Sequence, residues 1–346
     1  MKKYFLKLRE DYNMRTTERL QKIGRLLLAN SQYTILILFI VIPALILPQF
    51  LTIGNITNVL SRASFMGIMA IGLMFPILIG GMDLSVANIY AFSSLIFAYW
   101  QHYQISLSSY DQINLMFPLP ILILLTLMIG IGLGLLNGVI IAFGRIPDFA
   151  ATLGTMMVFT GMTYAITQTQ PVFGVSEGAR LLGAGSLWSV PIPAFIWLAI
   201  AILAHVVLQY TLLGRNLYAV GVNRKTAYYL GIDIIRVQLA AYAISGFLAA
   251  TAGILVAGWL NGGDPRVAEN MLLPTIASVV LGGTSLVGGK GTVLGTITGV
   301  LIMTLITNIL NLIGIPPFPQ QIVAGLVIIL ALILQRFQRF YLQEGW

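Results

Sequence analysis

The chain has no cysteine among its 346 residues. That excludes disulfides, thiolate metal sites and a cysteine nucleophile, and leaves the redox compartment open. Histidine is scarce: His102 and His205 lie too far apart for a metal-ligand spacing such as H-E-x-x-H. Charge is scarce as well, with 9% of residues charged against about 25% in an ordinary soluble domain. At 58% hydrophobic residues there is too little polar surface to coat a water-soluble globule, so lipid is the main solvent.

A phosphate cradle is also missing. The stretch "LGGTSLVGGKGT", Leu281 to Thr292, is glycine-rich and carries Lys290 between two glycines. A P-loop reads G-x-x-x-x-G-K-[ST], because backbone N–H groups wrap the phosphates and the hydroxyl reaches Mg²⁺. Here the first glycine is replaced by Thr284, and the residue after Lys290 is Gly291. The motif fails at both ends, and the stretch reads as a glycine-rich break at the inner end of a short span. "GVSEG", Gly174 to Gly178, matches the G-x-S-x-G elbow formally, but no strand pattern surrounds it. A hydrolase built on Ser176 has no other support.

What is present is a series of apolar runs of about the 20 residues a spanning helix needs. They fall near 33–50, 58–80, 86–104, 119–143, 150–168, 192–213, 238–260, 272–287, 293–314 and 319–335, the eighth being short. The expected fold is an all-α polytopic membrane protein of about ten transmembrane helices. A basic tail over 1–32 precedes the membrane domain at 33–336, and a short tail at 337–346 follows it. The leader is too long and charged for a signal peptide and shows no A-x-A-like cleavage site, so it reads as a retained tail.

Basic residues test the orientation. With both termini cytoplasmic, the inner segments collect Lys2, Lys3, Lys7, Arg9, Arg15, Arg19, Lys22, Arg25, Arg145, Arg215, Arg224, Lys225, Arg236, Lys290, Arg336 and Arg339. The outer segments hold Arg62, Arg180 and Arg266, a split of sixteen to three in the sense of the positive-inside rule. The formal charge of +8 is then an orientation signal and calls for no nucleic acid.

Glycines recur every fourth residue at Gly130, Gly134 and Gly138, and again at Gly291, Gly295 and Gly299. That spacing puts each set on one helix face, where close helix packing is favoured over a pore lining. An internal echo pairs "ILIGGMDLSV" (Ile77–Val86) with "VVLGGTSLVG" (Val279–Gly288), and "LGLLNGVI" with "LGTITGVL". Such pseudo-repeats occur in transporter folds.

Among polar residues, Asp83 follows Gly80-Gly81 between the second and third spans. A carboxylate at membrane depth is a functional suspect, though capping of the next helix is the favoured reading. Asp148 after Pro147 is read as a cap of the fifth span in the same way. The basic loop Leu213–Arg236 mixes apolar residues at helical spacing with charges, as a short amphipathic helix lying on the membrane or docking to a partner would. In the outer loop after the seventh span, Asp264, Arg266 and Glu269 form a charged group facing water or a soluble partner.

With these residues in view, the sequence resembles the permease subunits of bacterial ABC importers for monosaccharides, the ribose, xylose and galactose group. The resemblance runs from about Phe50 to Gln335 through "IGGMDLSVANIYAFSS", "GRIPDFAATLGTM", "GRNLYAVGVNRKTAYYLGI", "YAISGFLAATAGIL" and "LLPTIASVVLGGTSLVGGKGTVLGTITGVL". It implies a non-catalytic inner-membrane subunit without a cofactor, paired with a second permease, identical or related. A cytoplasmic ATPase and an extracytoplasmic binding protein complete such an importer. The 213–236 segment then matches the family's ATPase-coupling segment, with Gly214, Arg215, Ala219, Gly221, Asn223 and Gly231 on the pattern. Tyr228, Tyr229, Met82 and Asn88 depart from it, which bears on the substrate rather than the family. Asp264, Arg266 and Glu269 become the residues expected to meet the binding protein.

The expected mechanism is alternating access along a path lined by the second, third, eighth and ninth spans, with Asp83, Asn137, Thr284, Ser285 and Asn308 as polar candidates. The solute is a sugar, with a nucleoside or a furanosyl signalling molecule as alternatives. An ion-coupled secondary transporter is the competing class, but it would call for several intramembrane carboxylates or histidines, and only Asp83 qualifies.

Overall fold

The computed structural model describes residues 31–111 and 118–316, together with 319–323, 325–327, 329–330 and 333. Of the expected tail over 1–32, residues 1–30 lie outside the described residues and the last two begin the first described helix; the tail over 337–346 also lies outside them. Helix α1 spans Ser31–Ile46, α2 Ile53–Leu78, α3 Val86–Asp111, α4 Leu119–Gly144 and α5 Asp148–Thr167. A short α6, Glu177–Ala184, leads to α7, Ile192–Tyr210. Then come α8 (Leu212–Val222), α9 (Arg224–Tyr229), α10 (Ile234–Leu260), α11 (Leu272–Leu281) and α12 (Val293–Leu312). The described residues of 319–333 are helical too.

Six of these helices, α2, α4, α5, α7, α10 and α12, are long and apolar enough to cross a bilayer. Helix α3 is as long as α2 but more polar. The expected eighth span over 272–287 is shorter than predicted: α11 stops at Leu281 after 10 residues. At 1.5 Å per residue that is about half of a 30 Å hydrocarbon core. The helix ends there because Gly282-Gly283 breaks it, Gly283 taking a left-handed φ of 86° that favours glycine.

Two pairs of two-residue strands depart from an all-α reading. Strand β1 (Val172–Phe173) pairs antiparallel with β4 (Gly262–Gly263), and β2 (Ser186–Leu187) with β3 (Val190–Pro191). The β2–β3 turn places both Trp188 and Ser189 at positive φ, the twist a two-residue hairpin needs.

Helix α2 occupies the centre and is wrapped by α10, α12, α7 and α11. Helices α4, α5 and α7 instead leave most of their spanning surface uncovered. In lipid the hydrophobic effect does not draw helices together, so association rests on close backbone approach and polar contacts. The glycine ladders provide that approach. A Cβ at Gly134 would fall 2.2 Å from the Tyr242 carbonyl oxygen of α10, and one at Gly299 would fall 1.9 Å from the Ser278 carbonyl oxygen of α11. Both ladders therefore seat neighbouring helices.

Candidate translocation site

The chain breaks twice at one end of the bundle. The first break joins α2 to α3 through Gly80–Ser85, and the second joins α11 to α12 through Gly282–Thr292. These are the two members of the sequence echo, and they touch: the Gly289 N–H donates to the Leu78 carbonyl at 2.8 Å.

Asp83 sits in the first break and is fully buried. Its Oδ1 accepts the Ser85 N–H at 3.0 Å and the Ser85 hydroxyl at 2.7 Å. Its Oδ2 accepts the Ser245 hydroxyl of α10 at 2.7 Å. The capping expectation is met only in part, because the N–H that Asp83 captures precedes the first residue of α3, while its second oxygen reaches another helix. The network continues: Asn137 Nδ2 donates to Ser85 Oγ at 2.7 Å, and Thr155 Oγ1 donates to Asn137 Oδ1 at 2.6 Å. The Thr152 hydroxyl shares its hydrogen between the Met82 carbonyl at 3.0 Å and the Asp148 carbonyl of its own helix at 2.8 Å. Neutral donors thus pin the break to α4, α5 and α10 at once, and each bond satisfies a group that burial would otherwise leave without water.

The cap expected of Asp148 does not form. Pro147 stands at the N-cap of α5 without a side-chain bond, and Asp148 is the first helical residue. Its carboxylate instead turns toward Gly81, where an added Cβ would lie 2.3 Å from Asp148 Oδ2 and 2.8 Å from the Tyr242 hydroxyl. An acidic first turn still complements the helix dipole.

Other expected path residues lie in separate places. Thr284 and Ser285 belong to the second break, where Ser285 N–H donates to the Lys290 carbonyl at 2.9 Å. Thr284 is buried beside Gly291. Asn308 lies toward the far end of α12. There it exchanges two amide hydrogen bonds with Asn55 of α2, at 2.7 and 3.1 Å. Sequence reasoning passed over Ser85, Thr155 and Ser245. Ser85 was visible two positions after Asp83, but nothing local marks Ser245, which is 162 positions away.

The 213–236 segment forms α8, α9 and the start of α10, two short helices where one was expected. Thr211, Asn223 and Asp233 cap them in turn, each side chain accepting an N–H from the first turn. Gly214 and Gly221 face inward. An added Cβ at Gly221 would lie 1.8 Å from the Leu78 carbonyl oxygen and 2.4 Å from the Gly289 nitrogen. Tyr218 donates to the Gly291 carbonyl at 2.8 Å. Ala219 is partly buried on α8, Asn223 is the α9 cap, and Gly231 has φ 80° at the turn into α10. The outward surface carries Arg215, Arg224 and Lys225 beside exposed Val222, Tyr228, Tyr229 and Leu230.

Past the other end of α10, Asp264 and Arg266 form a loose ion pair at 3.6 Å, and Glu269 accepts the Tyr164 hydroxyl at 3.2 Å. Ser176 is the N-cap of α6, accepting the Ala179 N–H at 3.4 Å, and its own N–H donates to Gln101 at 2.8 Å. Those bonds give Ser176 a structural task.

Broken helices, a buried polar knot where they break and a docked helix pair beside it define a polytopic helical transport protein. Comparison with known proteins narrows this. A family model described as the branched-chain amino acid transport system / permease component matches residues 55–332. The ribose import permease protein RbsC of Haemophilus influenzae is 36% identical over 91% of this chain and 95% of its own length. RbsC of Bacillus subtilis is 39% identical over 87% and 90%. The L-arabinose transport system permease protein AraH of Escherichia coli is 33% identical over 89% and 92%. No solved structure matches. The chain belongs to this permease family, on its ABC sugar-importer branch, and is a multi-pass protein of the bacterial inner membrane.

Proposed function

We propose that this chain is the membrane-spanning permease subunit of an ATP-driven importer for a sugar of the pentose class. A separate soluble protein delivers the sugar, and a separate ATPase powers its passage. The observation that carries this reading is the seat of α8, whose Gly221 end lies against the last residue of α2 and against the second break. A push on α8–α9 from outside the membrane is therefore delivered directly to the end of α2 and to the loop that joins α11 to α12.

In this reading the exposed face of Arg215, Arg224, Lys225, Tyr228 and Tyr229 docks the ATPase in the cytoplasm. Gly214, Ala219 and Gly221 shape that face from behind, while Asn223 and Gly231 set its turns. Both chain termini are cytoplasmic, about ten helices span the membrane, and a second permease completes the path through uncovered surfaces of α4, α5 and α7. The Asp83–Asn137 knot, Thr284 and Ser285 form its inner gate, Asn308 lies near its outer end, and Asp264, Arg266 and Glu269 meet the delivery protein. The pentose follows from the names of the relatives, one a ribose and one an L-arabinose permease.

The test is co-purification with the cognate ATPase in mild detergent, followed by D-ribose uptake into proteoliposomes with the binding protein. ATP-dependent uptake that stops when the ATPase is omitted is expected. Uptake persisting without ATPase or ATP would place the chain among ion-coupled carriers instead.

A further inference from the structure

From Ser61 to Leu78 every residue of α2 is buried except Arg62. An arginine set into a spanning helix is costly against lipid, and such residues face water or a polar path. Its guanidinium carbon lies 5.7 Å from the centre of the Trp259 ring near the end of α10. Phe65 packs on the same indole, with ring centres 5.7 Å apart. At that distance the ring's negative face attracts the cation without using up its N–H donors. The ion pairs among the described residues are Arg236–Asp233 and Arg266–Asp264, so none of those carboxylates neutralises Arg62.

Arg62 belongs to a stripe. Asn55, Asn58 and Arg62 follow the i, i+3, i+7 spacing of one helix face. Asn55 uses its amide on Asn308 and on the Phe50 carbonyl, while Asn58 stands exposed. Further along the same face come Met66 and Met69, both buried, and the Met66 sulfur lies 3.8 Å from the Ser278 hydroxyl of α11, which itself donates to the Pro274 carbonyl at 2.7 Å. The face is polar and open at the end away from α8, and closed beneath Arg62 by flexible thioethers.

We propose that Arg62, held by Trp259, is the sugar-reading residue at the outer mouth of the path. Its N–H fork donates to two neighbouring hydroxyl oxygens of a neutral sugar arriving above Met66 and Met69, and Asn58 supplies a second contact. Trp259 is a positioning residue that aligns the fork. A lysine ammonium is a point charge on a flexible stem and lacks this two-pronged geometry. The proposal rests on the transport reading above.

The experiment uses proteoliposomes holding the full chain with its ATPase and binding protein. Uptake of D-ribose, L-arabinose and 2-deoxy-D-ribose is compared among wild type, Arg62→Gln, Arg62→Lys, Trp259→Phe and Trp259→Leu. Arg62→Gln is expected to lower D-ribose uptake about tenfold, the scale of one lost charge-assisted hydrogen bond. It should also narrow the preference for D-ribose over the 2-deoxy sugar. Arg62→Lys restores neither property. Trp259→Phe keeps both, and Trp259→Leu behaves like Arg62→Gln. The binding protein is common to all variants, so a changed sugar ratio belongs to this chain.

Normal rate and ratio in Arg62→Gln overturn the proposal. Full rescue by Arg62→Lys overturns it too, and assigns the residue to anchoring at lipid headgroups. Should Arg62→Gln fail to assemble with the ATPase, the ratio in Arg62→Lys decides in its place. If the wild-type complex takes up none of the three sugars with ATP, the transport reading fails and takes this proposal with it. Active wild type beside an indifferent Arg62→Gln sinks this proposal alone.

Discussion

The Gly289 N–H donates a 2.8 Å hydrogen bond to the Leu78 carbonyl, joining the break after α11 to the end of α2. Gly221 lies against both partners of that bond, so three distant segments meet through backbone atoms with no side chain between them. Backbone contact of this kind transmits displacement with little slack, because close-packed groups have no void into which to yield.

A methyl group at Gly221 has no room, since it would lie 1.8 Å from the Leu78 oxygen. Gly221→Ala is expected to separate α8 from the breaks and to cost about 1–3 kcal/mol by overpacking. Sugar uptake should fall far more than basal ATPase activity or ATPase binding. Measuring all three on one reconstituted complex checks this, and equal losses in all three would show simple misfolding.

The Asp83 network predicts an ordered series of stabilities. Asp83→Ala leaves the buried hydroxyl of Ser245 and the Ser85 donors without their acceptor, at about 1–3 kcal/mol for each group left unsatisfied. Asp83→Asn keeps the shape and one oxygen, and the Ser245 hydroxyl can rotate to accept from the new amide, so its cost is about 1 kcal/mol. The midpoint of thermal unfolding in detergent should fall in the order wild type, Asp83→Asn, Asp83→Ala. Equal midpoints would mean that the carboxylate does not hold the break in place.

Asn55 and Asn308 form a closed pair, each amide donating to the other. Interhelical amide bonds in membranes are worth roughly 0.6 to 2 kcal/mol, so either alanine variant should lower stability by that amount. The double variant should cost clearly less than the sum of the two. Additive losses in a double-mutant cycle would show that the two amides act independently.

Much of this molecule is legible in one dimension. Spanning segments are visible because a bilayer imposes a length and an apolar composition that leave a long, unambiguous run. The glycine ladders declare themselves by four-residue spacing, and their packing role follows from helix geometry alone. Asp83 stands out because a carboxylate is rare in such a chain. What failed was local inference at helix ends. Residues 272–287 read as one span because their composition is apolar throughout, yet Gly282-Gly283 cuts α11 to 10 residues. Asp148 looked like a cap because it follows a proline, but Pro147 itself took the N-cap.

The sequence by itself determined the solvent of this protein and its family, since each depends on composition or contiguous motifs. Only the tertiary structure decided that Asp83 meets Ser245, that Gly221 meets Leu78 and Gly289, and that Arg62 lies over Trp259. The reason is physical: partners far apart in the chain are chosen by packing, by which faces fit closely enough to satisfy every buried polar group. That choice leaves no trace in the spacing of either residue alone.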